Sequence, residues 1–439
     1  MAFIPVYILI LIGTIVIDYI AGILIEDAEG KKKQGYLFMS IVANVAVLSI
    51  FKYYNFFVDN IVDVLHVFNF KANIPLLNII LPVGLSFHTF QAMSYTIEVY
   101  RGNQKAERHF GIYALYVMFY PQLVAGPIER PQNLLHQFHE KHEFSRTDVV
   151  AGLRQMMWGL FKKVVIADRL ALLVDPAYEH PESATAAGLI IATFLFAYQI
   201  YCDFSGYSDI ALGAARVMGY KLMVNFRRPY HSKSISEFWR RWHISLFTWF
   251  TDYIYNPMVI KLRNGGKVAV VFSVMTIFLI SGLWHGAAWK FVIYGALQGI
   301  AVVYEILTKK LRKKFFKPFS KPVVNTISWL ITMSYLCFTF VIFRAKDMKT
   351  AGYILKRIGG IFSEVGQSRY LLTTAVTYLP PLLWIGMLEL IYYIQKGADT
   401  PQFIGTRPKP VRLAMYYALG FAIYFLGVYE NRQFVYFAF

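Results

Sequence analysis

The amino-acid sequence predicts an all-α protein that crosses a lipid bilayer many times. Of its 439 residues, 57% are hydrophobic and only 16% are charged, and the mean hydropathy is +0.44. Soluble domains carry about 25% charged residues, so water cannot be the main solvent of this chain. The apolar residues form long runs separated by short polar turns, which is the pattern of repeated membrane-crossing helices. We expect one membrane-embedded domain over residues 1–439.

The predicted helices follow the apolar runs in order. A helix that crosses about 30 Å of hydrocarbon needs roughly 20 residues. Runs that approach this length lie at Ile4–Ile25, Tyr36–Val58, Ile74–Val99, Phe110–Val124, Ala187–Met218, Val268–Leu283, Trp289–Leu307, Val323–Phe343, Tyr370–Ile394 and Leu413–Val428. They predict about ten transmembrane helices.

Other stretches predict helices that are buried or lie at the membrane surface. Val149–Val174 mixes apolar residues with charged ones, so we expect tilted, interfacial or buried helices there. Arg344–Arg357 contains several basic residues and predicts an amphipathic helix on the outer side of the membrane.

The charge pattern predicts the orientation of the chain. Lys and Arg number 44 against 26 Asp and Glu, which gives a formal charge of +18. Most of this excess lies in short loops, which the positive-inside rule places in the cytoplasm, so nucleic-acid binding is a poor interpretation. Such loops also attract anionic lipid headgroups or phosphorylated donors. The basic loops are Lys31–Lys33, Arg101–Arg108, Arg216–Arg241 and Lys309–Lys321.

His285 lies between two apolar runs whose outer ends are both basic. Arg263 and Lys267 precede the first run, and the cluster that starts at Lys309 follows the second. If both ends are cytoplasmic, the chain rises into the membrane and returns, which places His285 deep in the bilayer or near its far face. An ionisable residue there is costly and usually faces a cavity or a partner.

The segment SGLWHGAAW surrounds this histidine with glycines, which permit a tight turn, and with the indole of Trp284. A histidine suits general-base catalysis near neutral pH, because burial keeps it in its neutral form. The alternative is a histidine that only hydrogen-bonds neighbouring helices.

A second histidine, His243, occurs in the segment SISEFWRRWHISLFTWFTDYIYNP. On a helical wheel, Trp239 and Trp242 belong to an aromatic stripe, Arg240 and Arg241 lie opposite, and His243 falls at the edge of the stripe. This pattern predicts one amphipathic helix at the cytoplasmic interface with its aromatic residues inserted into the membrane. His243 is then either an interfacial polar tip or a second functional residue.

Polar residues also interrupt the apolar run YQIYCDFSGYSDIALG, which contains Asp203, Ser205 and Asp209. Carboxylates inside a membrane helix rarely occur without pairing or function. We favour a structural and site-shaping role for them over catalysis. The candidate counter-ions are Arg227, Arg228, Arg240 and Arg241.

The sequence contains no pattern for a disulfide, a metal site, a nucleotide-binding loop or a serine-hydrolase motif. Cys202 and Cys337 show no disulfide or zinc spacing. His136, His139 and His142 do not share a helix face, and the sequence has no HExxH, P-loop, dinucleotide-binding or GxSxG motif. We expect no metal and no permanently bound cofactor.

The motifs resemble the membrane-bound O-acyltransferase family, in the bacterial branch that covers alginate O-acetylation and D-alanyl transfer to teichoic acid. The segments that carry the resemblance are LPVGLSFHTFQAMSYTIEVYRG, YPQLVAGPIERP, YCDFSGYSDIALG, EFWRRWHISLFTWFTDYIYNP, SGLWHGAAWKFVIYGALQG and QFVYFAF, in that order. Members of this family usually have a further span before the segment that corresponds to Asp18–Gly22, so one would be expected here.

The resemblance implies a funnel of membrane helices with a thin central partition, crossed by a tunnel. It implies that His285 and His243 are the catalytic residues, with His285 as general base. The other candidates line the tunnel or position the donor: Trp239, Arg240, Arg241, Trp242, Trp284, Asp203, Ser205 and Asp209.

The implied reaction moves an acyl group, preferably acetyl, from a cytoplasmic thioester to an extracytoplasmic glycan or an intermediary protein. The donor would be acetyl-CoA or an acyl carrier protein, and the protein would lie in the bacterial cytoplasmic (inner) membrane among membrane lipids. A separate extracytoplasmic SGNH-type transferase would complete delivery to the glycan acceptor. Three alternatives remain: D-alanyl or other acyl transfer, a transporter or flippase, and a scaffold of an export complex.

Overall fold

The computed structural model describes residues 7–78, 82, 84–364, 368–430 and 434, with the side chains of residues 363–380 left out. Every regular element in this part of the chain is a helix, which confirms the all-α fold class. The closing motif QFVYFAF lies outside the described residues except for Phe434.

The described residues of the N-terminal half form nine α-helices. They are α1 (Tyr7–Asp27), α2 (Gly30–Leu48), α3 (Tyr54–Val67), α4 (Leu85–Arg101), α5 (Phe110–Met118), α6 (Pro131–Leu134), α7 (Arg146–Leu160), α8 (Asp168–Glu179) and α9 (Ala186–Val217). Two π-helical segments, Ser49–Tyr53 and Phe161–Ala167, join α2 to α3 and α7 to α8. Each of these pairs is therefore one continuous helix.

The C-terminal half begins with short helices and continues with longer ones. They are α10 (Ile235–Trp239), α11 (Ile244–Phe250), α12 (Asn256–Lys261), α13 (Gly266–His285), α14 (Trp289–Leu307), α15 (Lys309–Phe315), α16 (Lys321–Arg344), α17 (Met348–Gly359), α18 (Ile361–Glu364), α19 (Ser368–Ile394), α20 (Thr400–Gly405) and α21 (Lys409–Leu426). A third π-helical segment, Thr251–Tyr255, joins α11 to α12.

Six helices in the described part of the chain are long and apolar enough to cross a membrane. They are α1, the continuous α2–α3 helix, α9, α13, α14 and α16. The protein is thus a polytopic membrane protein, as predicted, although the number of about ten spans stays unconfirmed. Helix α9 differs from the others because 78% of its apolar window is buried inside the protein.

Two predicted spans form shorter helices. In the run predicted from Ile74, the described residues are helical only from Leu85 onwards, and α5 has 9 residues and rises about 14 Å. The buried residues of α4 include polar side chains such as Gln91, Ser94 and Glu98. Hydropathy cannot distinguish a helix surrounded by protein from one surrounded by lipid, so the prediction was too long in both places.

The helix that runs through α7 and α8 packs along α9, which confirms a buried helix in this stretch. At the contact, a Cβ added to Gly159 would lie 2.5 Å from the carbonyl oxygen of Gly206. No side chain fits between backbones that are this close, and small residues are the usual means of such an approach between membrane helices. The contact places the π-helical residues Lys162 and Lys163 against the polar part of α9.

Helices α13 and α14 form the predicted hairpin, with a three-residue turn between His285 and Trp289. The two backbones approach closely, because a Cβ added to Gly282 would lie 2.3 Å from the carbonyl oxygen of Phe291. His285 therefore lies at the tip of the hairpin, and the basic helix α15 follows the other end of α14.

Helix α17 confirms the amphipathic helix predicted within Arg344–Arg357. Its inward face buries Ala351 and Ile354, and an ion pair between Arg344 and Asp175 at 2.8 Å joins its neighbourhood to α8. The side of the membrane on which α17 lies stays a prediction, as does the single-domain organisation over residues 1–439.

Candidate active site

His285 is the last residue of α13 and is only 7% exposed. Aromatic rings surround its imidazole: the ring centroids of Trp284, Phe343 and Tyr294 lie 5.2, 5.4 and 6.3 Å away. The site is therefore dry and mostly apolar, and a polar group that enters it interacts more strongly with the imidazole than it would in water.

The C-terminus of α13 is held by two residues of the π-helical segment in the α2–α3 helix. The hydroxyl of Tyr53 donates a hydrogen bond to the carbonyl of Leu283 at 2.9 Å, and the ammonium of Lys52 donates one to the carbonyl of Trp284. The last carbonyls of a helix lack intrahelical partners, and a cation is favourable at this end of the helix dipole. Lys52 and Tyr53 thus fix the backbone directly before His285.

The segment that carries His243 is not one helix, and that prediction was wrong. Helix α10 ends at Trp239, α11 begins at Ile244, and His243 between them has φ +45° and ψ 54°, in the left-handed region. A nearby segment of the same chain supports this break, because Ile244 N–H donates a hydrogen bond to the carbonyl of Asn225 at 3.0 Å. Local periodicity could not reveal this, since the competing partner is distant in sequence.

The prediction that the aromatic stripe of this segment inserts into lipid was also wrong. Six of its seven members are buried in the core of the protein, and the seventh, Tyr253, is half-buried: Phe238, Trp239, Trp242, Leu246, Trp249 and Phe250 are each at most 6% exposed. A stripe of large apolar residues indicates burial, and its sequence alone does not say whether lipid or protein provides it.

His243 is 1% exposed, and neither of its ring nitrogens has a hydrogen-bond partner in another residue among those that the structure describes. Its ring contacts the rings of Phe204 and Phe87, with centroids at 4.8 and 6.1 Å. Burial lowers the pKa of His243 well below its usual value, and nearby His285 lowers it further. The imidazole is therefore neutral and offers one donor and one acceptor to a ligand.

Trp284 connects the two histidines. The centroid of its indole lies 5.7 Å from that of His243 and 5.2 Å from that of His285. His243 and His285 are 42 positions apart in sequence, and the fold brings them to one aromatic cluster. The structure thus places His285, His243 and Trp284 together, whereas their catalytic or positioning roles stay predictions.

The carboxylates of α9 pair with lysines, and the predicted arginine counter-ions were wrong. Asp203 lies 2.6 Å from the ammonium of Lys163, and Asp209 lies 2.6 Å from that of Lys162. Lys162 also donates to Ser205 at 2.8 Å. The π-helical segment between α7 and α8 brings both lysines to this face of α9, which α-helical spacing does not predict.

A polar cavity of about 80 Å³ opens beside this network. Ser208 Oγ and Asn225 Nδ2 in its wall are buried, and neither has a hydrogen-bond partner among the described residues. Asn225 also caps the start of α11, because its side-chain oxygen accepts from Ser245 N–H at 3.1 Å. Charged and polar residues of the wall include Gln155, Lys162, Ser205, Ser208, Asp209, Asn225, Arg227, Arg228 and Asp399.

The remaining predicted residues lie around the site rather than in it. Trp239 donates its indole N–H to Gln298 at 3.1 Å, and Trp242 contacts Phe226 with ring centroids at 5.1 Å. Arg241 forms an ion pair with Glu237 at 2.7 Å. Arg240 is exposed. Within the described residues, no group of three or more His, Cys, Asp or Glu side chains could hold a metal ion.

Sequence reasoning missed several residues of this region, among them Lys52, Lys162 and Asn225. Lys52 had a detectable signal, because it is a lysine inside a predicted span, where a charged residue needs a partner. Asn225 had none, because its role depends on its contact with the break between α10 and α11.

The protein is therefore an integral membrane protein, and its bundle of helices holds two histidines, His243 and His285, in a buried pocket. The sequence model of the membrane-bound O-acyltransferase family matches residues 108–343, which include both histidines and the cavity wall up to Arg228. The chain belongs to this family.

The sequence is also similar to individual members of this family. The chain is 36% identical to the probable alginate O-acetylase AlgI of Pseudomonas syringae pv. tomato, over 81% of this chain and 66% of that protein. It is 34% identical to the peptidoglycan O-acetyltransferase of Helicobacter pylori, over 81% and 70%. It is 27% identical to the teichoic acid D-alanyltransferase of Bacillus subtilis, over 61% and 70%. The matched region thus spans about two thirds of each relative.

Proposed function

We propose that the protein transfers an acetyl group from a cytoplasmic thioester to a hydroxyl of an extracytoplasmic polysaccharide, directly or through an intermediary transferase. One observation carries this proposal: two buried histidines, His243 and His285, share contact with Trp284 in an aromatic pocket. Family membership supplies the reaction class, and the pocket supplies a base and a second polar group in a dry environment.

In the proposed step, a nitrogen of His285 accepts the proton of the acceptor hydroxyl. The oxygen attacks the carbonyl carbon of the thioester, and a carbon–oxygen bond forms. The tetrahedral intermediate then expels the thiolate, which takes the proton from the imidazolium. The products are an acetyl ester and a free thiol, and the base is regenerated. General-base assistance of this kind contributes about 10²–10⁴-fold to a rate.

We assign His243 to the donor side of the pocket. Its ring nitrogens, which have no partner in another residue that the structure describes, can donate to the thioester carbonyl or accept from the acceptor hydroxyl. A buried polar group without a partner is costly, so a bound substrate that supplies one gains affinity at this position. The left-handed backbone at His243 adds strain of the kind that clusters at functional sites.

The polar cavity is the proposed entry of the donor. Arg227 in its wall is exposed and suits a phosphate of coenzyme A or of the phosphopantetheine arm of an acyl carrier protein. The cavity adjoins the predicted cytoplasmic loop Arg216–Arg241, and Asn225 links it to the break that carries His243. The donor is a substrate in this scheme, so no permanently bound cofactor is required.

The comparisons favour acetyl over D-alanyl transfer. Identity is 36% and 34% with the two relatives named as acetylating enzymes and 27% with the D-alanyltransferase. A transporter was suggested by the carboxylates of α9, but Asp203 and Asp209 are paired with lysines. Their ion pairs explain them without a translocation path.

The remaining parts of the proposal concern the setting of the reaction. We place the protein in the bacterial cytoplasmic (inner) membrane with its basic loops in the cytoplasm, in accordance with the positive-inside rule. Because the acceptor is extracytoplasmic, an SGNH-type transferase outside the membrane would finish delivery to the glycan.

Mass spectrometry of envelope polysaccharides from cells with and without the gene tests this proposal. We expect acetyl esters on one polymer to disappear without the gene and to return with the wild-type protein, but not with His285→Ala at equal abundance. If D-alanyl esters disappear instead, the transferred group is D-alanyl and not acetyl. Unchanged esters on all polymers would contradict it.

A further inference from the structure

A large groove lies at the basic end of the α13–α14 hairpin, far along α14 from His285. It is formed between α14, α15 and α16 and has a volume of about 1070 Å³. Its walls are mostly apolar, and several of their side chains are at least half exposed, such as Ile300, Ile331, Leu311 and Phe315. In a membrane, these walls face hydrocarbon.

The rim of the groove is basic. Lys233, Arg312 and Lys314 line it, and α15, which forms one side, has five basic and no acidic residues among its seven, KKLRKKF. Arg312 is fixed in place, because it donates to Thr308 Oγ1 at 3.2 Å and to the carbonyl of Glu305 at 2.9 Å. A positively charged edge therefore meets an apolar groove.

The carboxylate that lines this groove, that of Glu305, is already engaged. It accepts from Ile235 N–H at 2.6 Å, from Ser236 N–H at 3.0 Å and from the hydroxyl of Ser236 at 2.5 Å. It thereby caps the start of α10, where a negative charge is favourable. Its charge is thus already partnered by these donors.

We propose that this groove binds one anionic phospholipid. An acyl chain lies against the apolar walls between α14 and α16, and the phosphate lies at Arg312, Lys314 and Lys233. Basic pockets between membrane helices on the cytoplasmic side suit anionic headgroups, and each nearby Lys or Arg strengthens the attraction. The apolar length of the groove selects a lipid over a soluble phosphate compound. This proposal does not depend on the acyl-transfer reaction.

Native mass spectrometry of the protein released from nanodiscs tests the proposal. In nanodiscs that contain phosphatidylglycerol and phosphatidylcholine in equal amounts, we expect one phosphatidylglycerol to stay bound to the wild-type protein. The Arg312→Gln/Lys314→Gln variant should bind it about 30-fold more weakly, as expected for the loss of two charges. The matched control Lys31→Gln/Lys32→Gln removes two exposed basic residues of α2, which does not line the groove, and should bind as the wild type does.

A second variant separates the apolar groove from the charge. Ala301→Trp places a large ring in the groove and should displace the lipid while leaving the basic rim intact. Soluble glycerol phosphate should not compete with the lipid. Equal retention of phosphatidylglycerol by the wild type and both variants would overturn the proposal, and so would equal retention of phosphatidylcholine. Competition by glycerol phosphate would assign the rim to a soluble ligand and overturn the lipid assignment.

Discussion

The ion pair between Lys162 and Asp209 links the α7–α8 helix to α9 beside the polar cavity. Lys162 is 3% exposed, and its ammonium lies 2.6 Å from Asp209 and 2.8 Å from Ser205. The substitution Lys162→Met keeps an unbranched side chain that is one heavy atom shorter and removes the charge. Asp209 would then keep a hydrogen bond from Gln155 at 3.1 Å but no cation.

Removal of one partner of a buried pair costs about 3–5 kcal/mol. The side chain of Asp209 is 22% exposed and keeps one hydrogen bond, so we expect the lower end, about 3 kcal/mol of unfolding free energy. The double variant Lys162→Met/Asp209→Leu removes both charges. It should recover most of this loss, because a well-packed apolar pair often replaces a buried ion pair without cost.

Unfolding of the purified protein by SDS in mixed micelles, followed by circular dichroism of the helices, measures these differences. Lys141→Met is a matched control, because the Lys141 side chain is 90% exposed, and it should change the free energy by less than about 0.5 kcal/mol. A Lys162→Met variant as stable as the control would show that this ion pair does not stabilise the fold. A double variant no more stable than Lys162→Met would contradict the expected recovery.

Three further predictions concern other parts of the fold. Gly282→Ala should separate α13 from α14 and lower stability by about 2 kcal/mol, whereas Gly352→Ala, which meets nothing within 4 Å, should not; equal unfolding midpoints would contradict this. Lys52→Met should lower acyl transfer at equal abundance about tenfold, and Lys52→Arg should restore much of it; full activity of the methionine variant would show that this cap is dispensable. Burial raises the pKa of Glu129 from 4.5 to about 7, so the folded state holds this proton more tightly and stability should fall as pH rises between these values. Glu129→Gln should remove that decline in unfolding midpoints measured at about pH 5 and about pH 8, and an unchanged decline would assign it to other groups.

Features that depend on apolar length and charge could be predicted from the sequence. Helix α14 begins and ends where the apolar run does, at Trp289 and Leu307, and the hairpin that presents His285 followed from the basic residues at both of its ends. These signals are local, because membrane thickness and the positive-inside rule act on each segment separately.

Features that depend on contacts between distant segments could not be predicted. The break at His243 is supported by Asn225, and the lysine partners of Asp203 and Asp209 come from a π-helical segment on another helix. Periodicity indicates which side of a helix is apolar, but it does not identify the neighbour that covers it. The same limit caused the aromatic stripe around Trp242 to be assigned to lipid when protein covers it.

In the proposed reaction, His285 is the base that activates the acceptor hydroxyl. The most direct measurement is the transfer of labelled acetyl from acetyl-CoA to the isolated envelope polysaccharide. The purified protein is reconstituted in proteoliposomes, and a fraction that contains the extracytoplasmic membrane proteins is added. His285→Ala should lower the rate by about 10²–10⁴-fold, while His136→Ala, at a side chain 57% exposed, should leave it unchanged. A His285→Ala rate within a few-fold of the wild type, with the control equally active, would contradict the role of His285 as the base.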